Sequence, residues 1–234
     1  MSFIIALYVR EGIVMASDSR LILSAKQMHE DREIIQFGVG LSDSTYKTHI
    51  TLNNIGISAF GAPEVQGEPI SGYIESFISE ELYRNDLEVD EVPHALIDYF
   101  LQLDASPDAG FIVAGYKQGE NGIEQHVWEA LVKSERVTRL NKPGKWGASW
   151  RGVTDILTRL IMPVSIIAPE EEPKPLPNYP VQWGFFTLQD AIDYAQYAVQ
   201  MTIDTMRFHP RPKTVGGPVD ILAVSYTHLT LPTN

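Results

Sequence analysis

The chain has 234 residues, of which 44% are hydrophobic and 21% charged, a composition typical of an ordinary globular protein. Lys and Arg together number 18 and Asp and Glu 30, so the formal net charge is −12. This balance argues against binding to nucleic-acid phosphates and against docking on an anionic membrane surface, because both need clustered positive charge. The absence of cysteine excludes disulfides, thiol nucleophiles and Cys-ligated metal sites.

Other classes of protein are excluded by missing patterns. No run approaches the roughly 18 apolar residues of a membrane-spanning helix, and the first residues lack the basic region of a signal peptide. We therefore expect a cytoplasmic protein. The six histidines have no paired ligand spacing, and no glycine-rich phosphate loop or Gly-x-Ser-x-Gly turn occurs. We expect neither a metal nor a cofactor.

The first third of the chain has the period of β-structure. Short apolar runs separated by turn residues predict one hairpin from 2–10 and 13–16. A second joins 47–52 to 55–60 through an Asn-Asn pair, which can supply the positive φ of a tight turn. A short strand is predicted at 34–39.

The period then changes to that of helices and back. Apolar residues spaced three and four apart predict a helix over 69–84, and a second begins at Asp90 with Pro93 in its first turn. Strands at 110–118, 124–133 and 137–140 follow, then helices at 152–162 and 187–207 and a last strand at 219–224. Thr187 and Asp190 form a capping signal for the longest helix.

This order of elements predicts an α+β fold in which two stacked sheets are flanked by paired helices, a four-layer αββα sandwich. We expect a single domain over 1–224. Residues 163–184 contain six prolines and an acidic cluster, and are predicted to form an exposed loop or flap. The last ten residues, 225–234, have neither apolar stripe nor cap, so we interpret them as a non-native tail.

The chemistry suggested by the sequence begins at Ser2. If Met1 is removed, Ser2 carries a hydroxyl and a free α-amine, and an α-amine of pKa about 7.7–8 can act as base for that hydroxyl. The mechanism also needs a buried lysine beside the amine, a carboxylate to hold the lysine, and a backbone N–H for the oxyanion. Asp18 at the end of the second strand, Lys47 at the start of a later one and Gly61 after the next supply these groups.

The same residues carry a resemblance to a known family. The run from Ser2 to Arg20, with an acidic-Gly turn and Ala-Ser-Asp-Ser-Arg at its end, resembles the opening of proteasome β-type subunits. Residues 47–61 match the family's lysine, strand, turn, strand and glycine, and 216–224 are similar to its Gly-Gly-x-Val-Asp strand. The nearest comparison is with bacterial HslV-type and Anbu-type proteins of the N-terminal nucleophile (Ntn) hydrolase superfamily.

The resemblance implies catalytic roles for Ser2, Asp18, Lys47 and Gly61, a peptide or amide substrate, and assembly into a homo-oligomeric ring or open ring. The usual nucleophile of that family is Thr, and this chain has Ser2 in its place. The family's second support cluster, an Asp and two Ser, has no clean counterpart, because 211–215 contains neither residue type and Ser149 aligns doubtfully.

Three functions remain open at this point. The chain is a peptidase or amidase with a processed Ser2, a catalytically silent ring-forming scaffold, or an amidohydrolase acting on a small molecule. Simpler interpretations also stand beside each residue: Asp18 and Gly61 as turn residues, Lys47 as a solvated lysine, Ser2 as a frayed terminus. A Met1 that is retained would block the amine and exclude both hydrolase functions.

Overall fold

The computed structural model describes residues 2–29, 32–104, 106–120, 122–167 and 172–225, with the backbone alone for 23–29 and 32–41. Apart from Ser225, the predicted non-native tail lies outside these residues. No helix in the described part of the chain is long and apolar enough to cross a membrane.

Fifteen strands and five α-helical segments follow one another along these residues. The strands are β1 (Phe3–Val9), β2 (Gly12–Asp18), β3 (Leu21–His29), β4 (Arg32–Ser42), β5 (Thr48–Ile50), β6 (Gly56–Gly61), β7 (Glu64–Val65), β8 (Glu68–Pro69), β9 (Ala109–Gly119), β10 (Gly122–Leu131), β11 (Arg136–Arg139), β12 (Gly147–Gly152), β13 (Ser165–Ile166), β14 (Lys174–Pro175) and β15 (Val219–Val224). The helices are α1 (Ile70–Phe77), α2 (Tyr83–Asn85), α3 (Val92–Leu101), α4 (Asp155–Ile161) and α5 (Leu188–Phe208). A π-helical segment, Ile78–Leu82, joins α1 to α2, and a 3₁₀ turn, Trp183–Phe185, precedes α5.

Two antiparallel sheets form the centre of the fold. The first has the order β12-β1-β2-β15 and the second the order β11-β10-β9-β6-β5. Every residue of β1 and β2 is buried, so both faces of the first sheet are covered at its two central strands. This explains why these strands are continuous apolar runs without the alternation of a half-exposed strand.

Three apolar clusters cover the faces of the two sheets. One lies between the sheets and includes Ile4, Met15 and Ile112. A second joins the outer face of the first sheet to α4 and α5, and a third joins the second sheet to α1 and α3. The longest helix, α5, begins with the predicted capping box, in which the Asp190 amide donates to Thr187 Oγ1 and the Thr187 amide donates to the Asp190 carboxylate.

Several predicted elements differ from the observed ones. The predicted helix over 152–162 is wrong at its start, because 147–152 is β12, paired with β1, and α4 begins only at Asp155. Thr158 accepts the Trp150 indole N–H and extends the contact between strand and helix. The predicted strand at 34–39 is part of a longer hairpin of β3 and β4. Within 163–184, β13 pairs with β14.

Candidate active site

Ser2 lies at the start of β1 and is 8% exposed. Its carbonyl oxygen accepts a hydrogen bond of 2.8 Å from the Val153 amide, just after β12. Gly152, with φ +87°, makes this approach possible, because a Cβ atom there would overlap the Ser2 carbonyl oxygen. Ser2, which directly precedes β1, is therefore held on its carbonyl side, and the interpretation of Ser2 as a frayed terminus does not fit the structure.

Asp18 ends β2 directly beside the start of β1, and its side chain is fully buried. Its Oδ1 accepts from the Phe3 amide at 2.9 Å. Its Oδ2 accepts from the Gly216 amide at 3.0 Å and from the Arg20 amide at 3.3 Å. A buried carboxylate needs such donors to offset its lost hydration, so this geometry fixes three backbone segments around one side chain.

Lys47 completes a buried ion pair with that carboxylate. Its Nζ lies 2.8 Å from Asp18 Oδ1, the oxygen that also binds the Phe3 amide. Sharing this oxygen places the ammonium beside the peptide bond that joins Ser2 to Phe3. Burial lowers the pKa of Lys47, and the attraction of Asp18 opposes that shift. The lysine is thus not a solvated strand-start residue.

Gly61 ends β6 with φ +93°, and a Cβ there would come 2.5 Å from the Asp108 carbonyl oxygen. A small cleft of about 20 Å³, room for about one water molecule, is lined by Ser2 and Lys47 and by Phe60 and Ala62. Gly61 itself lines a neighbouring open pocket of about 560 Å³. The structure therefore brings Ser2, Asp18 and Lys47 together and places Gly61 between two residues of the cleft.

Polar contacts behind the site tie it to the surrounding strands. Ser19 Oγ lies within hydrogen-bond distance of two acceptors, the Pro218 carbonyl oxygen at 2.7 Å and Asp220 Oδ2 at 2.9 Å, which share its single proton. Arg20 makes a two-point contact with Asp43, with Nε to Oδ1 at 2.6 Å and Nη2 to Oδ2 at 2.8 Å. This contact lowers the pKa of Asp43 and closes the base of the β3–β4 hairpin next to the cleft.

The second support cluster of the family has no equivalent at the predicted positions. Ser149 pairs with Ala6, four residues along β1 from Ser2, or roughly 13 Å away at strand spacing. In the stretch 211–215, Arg211 instead forms an ion pair with Asp155, with Nη1 to Oδ1 at 3.1 Å.

Sequence reasoning missed the backbone donors of this site. The amides of Val153 and Gly216 hold Ser2 and Asp18, yet a backbone N–H leaves no side-chain signature. The one usable signal was glycine: Gly152 adjoins Ser2, and Gly216 leaves room for the Arg20 guanidinium.

Comparison with known proteins supports the fold. No family model matches the chain, and no curated protein matches it. Among solved structures, a mutant of Anbu from Hyphomicrobium sp. strain MC1 is similar over 96% of this chain and 82% of its own, with a TM-score of 0.58 and 13% identity. The chain shares the fold of Anbu, a proteasome-like protein of the Ntn type. At this identity the likeness to Anbu concerns the fold alone.

Proposed function

We propose that the chain is an Ntn hydrolase that cleaves peptide or amide bonds with Ser2 as nucleophile after Met1 is removed. The observation that carries this proposal is the buried Asp18–Lys47 pair beside the start of β1, in a fold shared with Anbu. The proposal includes a four-layer αββα arrangement formed by a single domain over 1–224. Three apolar clusters, one between the sheets and one on the outer face of each, support that arrangement.

The reaction uses the α-amine of Ser2 as general base. The amine takes the Oγ proton as Oγ attacks the carbonyl carbon, so a C–O bond forms and the carbonyl oxygen becomes an oxyanion. The Gly61 amide is the candidate donor to that oxyanion. The C–N bond then breaks, the amine product leaves with the proton, and water hydrolyses the resulting ester to restore Ser2.

Lys47 tunes the base in this scheme. A positive charge near the amine disfavours its protonated form, so the amine is available as base closer to neutral pH than a free terminus would be. Asp18 keeps the ammonium in position and is a positioning residue. Cleavage should therefore rise with pH through the titration of the amine and level off above it.

Fluorogenic peptides and simple amides test this proposal against matched variants. Ser2→Ala should abolish turnover with the fold intact, since the Ser2 side chain makes no hydrogen bond to the residues that the structure describes. Lys47→Ala should be nearly as damaging, and Ser2→Thr should keep activity because Thr is the usual nucleophile of the family that the chain resembles. If Ser2→Ala cleaves as fast as the parent protein, the active-site assignment is wrong. If the protein cleaves small amides but not peptides, it is a small-molecule amidohydrolase.

A catalytically silent scaffold of the same fold is the second candidate. Two observations favour it: the cleft beside Ser2 holds only about 20 Å³, and 211–215 lacks the Asp and Ser of the family's support cluster. Intact mass separates the candidates, because a retained Met1 blocks the amine and leaves only the scaffold.

Assembly into a homo-oligomeric ring or open ring is part of both candidates. Large apolar side chains are exposed on α5 and on the segment before it, including Tyr197, Phe208, Ile167, Tyr179 and Phe185. Large apolar side chains left exposed are candidates for contacts between subunits. Elution as a monomer at micromolar concentration, with residues 225–234 removed, would contradict this assembly.

A further inference from the structure

Lys47 is held differently at the two ends of its side chain. At the tip, Nζ lies 2.8 Å from Asp18 Oδ1, and among the residues that the structure describes it has no other ion-pair or hydrogen-bond partner. At the backbone, Lys47 directly precedes β5, a strand of three residues at the edge of the second sheet. A lysine has a flexible four-carbon stem, so one contact at its tip fixes the ammonium only if the start of β5 is fixed as well.

A chain of three hydroxyl groups holds the start of β5 against the first sheet. Thr48 Oγ1 donates to Ser17 Oγ on β2 at 3.0 Å. It also lies 2.8 Å from the Oγ of Ser58, the residue opposite Thr48 on β6. Each hydroxyl has a single proton, so Ser58 donates to Thr48 while Thr48 donates to Ser17. Because Ser17 and Ser58 are buried, water does not replace these bonds.

This hydroxyl chain is adjacent to the ion pair on both strands. Ser17 directly precedes Asp18, and Thr48 directly follows Lys47. The hydrogen bond and the ion pair therefore join the same two segments, one residue apart. The cluster that fills the rest of the space between the sheets is mainly apolar. Apolar contacts are non-directional, whereas a hydrogen bond fixes both distance and orientation, so the hydroxyl chain holds β5 in one position relative to β2.

We propose that Thr48 is a positioning residue that acts through Lys47. Its hydrogen bond to Ser17 fixes the start of β5, and this keeps the ammonium beside Asp18 and beside the start of β1. The effect of Thr48 on cleavage rests on the proposed hydrolase function. Its effect on the ion pair does not, so the two are tested separately.

Carbon-13 NMR of lysine-labelled protein tests the effect on the ion pair without any need for activity. Thr48→Val keeps the shape of the side chain and removes the hydroxyl, and Lys47→Met assigns the Lys47 resonance. Burial and the charge of Arg20 lower the pKa of Lys47, while Asp18 and Asp220 oppose that shift. A looser contact with Asp18 should therefore raise the acid dissociation constant of Lys47 by about threefold or more.

Matched variants separate positioning from a general loss of stability. Thr48→Ser keeps the hydroxyl and should restore the parent titration curve, and Ser17→Ala should reproduce the effect of Thr48→Val from the other strand. Thr202→Val makes the same chemical change at a buried threonine of α5, whose Oγ1 donates to the Ala198 carbonyl, and should leave the titration of Lys47 unchanged. If Thr48→Val does not fold, Ser17→Ala decides. A dissociation constant that does not rise, or that rises equally in Thr202→Val, would overturn the proposal.

Turnover of a fluorogenic peptide tests the effect on cleavage. In Thr48→Val, kcat should fall about tenfold while KM stays within about twofold of the parent value. The acid limb of the pH profile should move to higher pH, because a more distant ammonium lowers the pKa of the Ser2 amine less. A change in KM alone, or an unmoved acid limb, would overturn the catalytic part of the proposal. If the parent protein cleaves nothing, the hydrolase function fails, and the Lys47 titration still decides whether Thr48 positions the lysine.

Discussion

Replacing Asp18 by Asn removes the counter-charge of a buried lysine while keeping the shape of the side chain. The Asp18 side chain is 0% exposed and that of Lys47 7%, so water cannot take over the role of the carboxylate. Removing one partner of a buried pair costs about 3–5 kcal/mol of unfolding free energy. Asparagine also presents an NH₂ group to one of the N–H donors from Phe3 and Gly216, which adds to the loss. We expect the free energy of unfolding to fall by about 4 kcal/mol at pH 7.

A double-mutant cycle isolates the charge interaction. Urea unfolding is measured for the parent, Asp18→Asn, Lys47→Met and the double variant. The double variant should be more stable than additivity predicts by about 2–3 kcal/mol, because it leaves no unpaired charge. The loss in Asp18→Asn should also shrink at alkaline pH, since burial lowers the pKa of Lys47 and the neutral amine needs no counter-charge. Additive effects and a pH-independent loss would refute this account of the site.

Three further perturbations test other parts of the structure. Gly61→Ala should lower the unfolding free energy by about 1–3 kcal/mol in urea titrations, because its φ is +93° and a Cβ would meet the Asp108 carbonyl. Arg20→Ala should cost only about 0–1 kcal/mol, because the Asp43 side chain is 47% exposed; a larger loss would mean that the pair supports the site. Burial lowers the pKa of His126 in the folded protein. In the unfolded chain this histidine has its ordinary pKa of about 6.5, so below that pH the unfolded chain binds more protons than the folded protein does. The free energy of unfolding should therefore rise with pH up to about 6.5. Urea midpoints measured between pH 4.5 and 8 should show a smaller rise for His126→Phe than for the parent protein, and an unchanged slope would contradict the assignment to His126.

The parts of the fold with a strong local period were predictable. The hairpin of β1 and β2 is confirmed, because its apolar runs flank the two-residue turn of Arg10 and Glu11. The positive φ expected in the Asn-Asn turn occurs at Asn54, with φ +57°. The capping box at Thr187 formed as predicted, since it depends only on residues three positions apart. Local patterns of this kind contain the information that decides the local structure.

Features that depend on distant segments were not predictable from one sequence. The strand β12 ends at Gly152, and apolar residues with helical spacing begin directly after it. The spacing of apolar residues therefore predicted a helix that starts too early, at the last residue of the strand. The amide donors of Val153 and Gly216 reach the site only through the pairing of β12 and β15 with the central strands. Asp18 and Lys47, 29 residues apart in sequence, meet because β2 of the first sheet lies against β5 of the second.

Intact-mass spectrometry with a small activated ester tests the central claim most directly. The protein as purified should be lighter than the full sequence by one methionine. After brief exposure to the ester and an acid quench, it should gain one acyl group, which peptide mapping places on Ser2, while Ser2→Ala gains none. Retention of Met1, or an acyl group that maps elsewhere and persists in Ser2→Ala, would contradict the assignment of Ser2 as an N-terminal nucleophile.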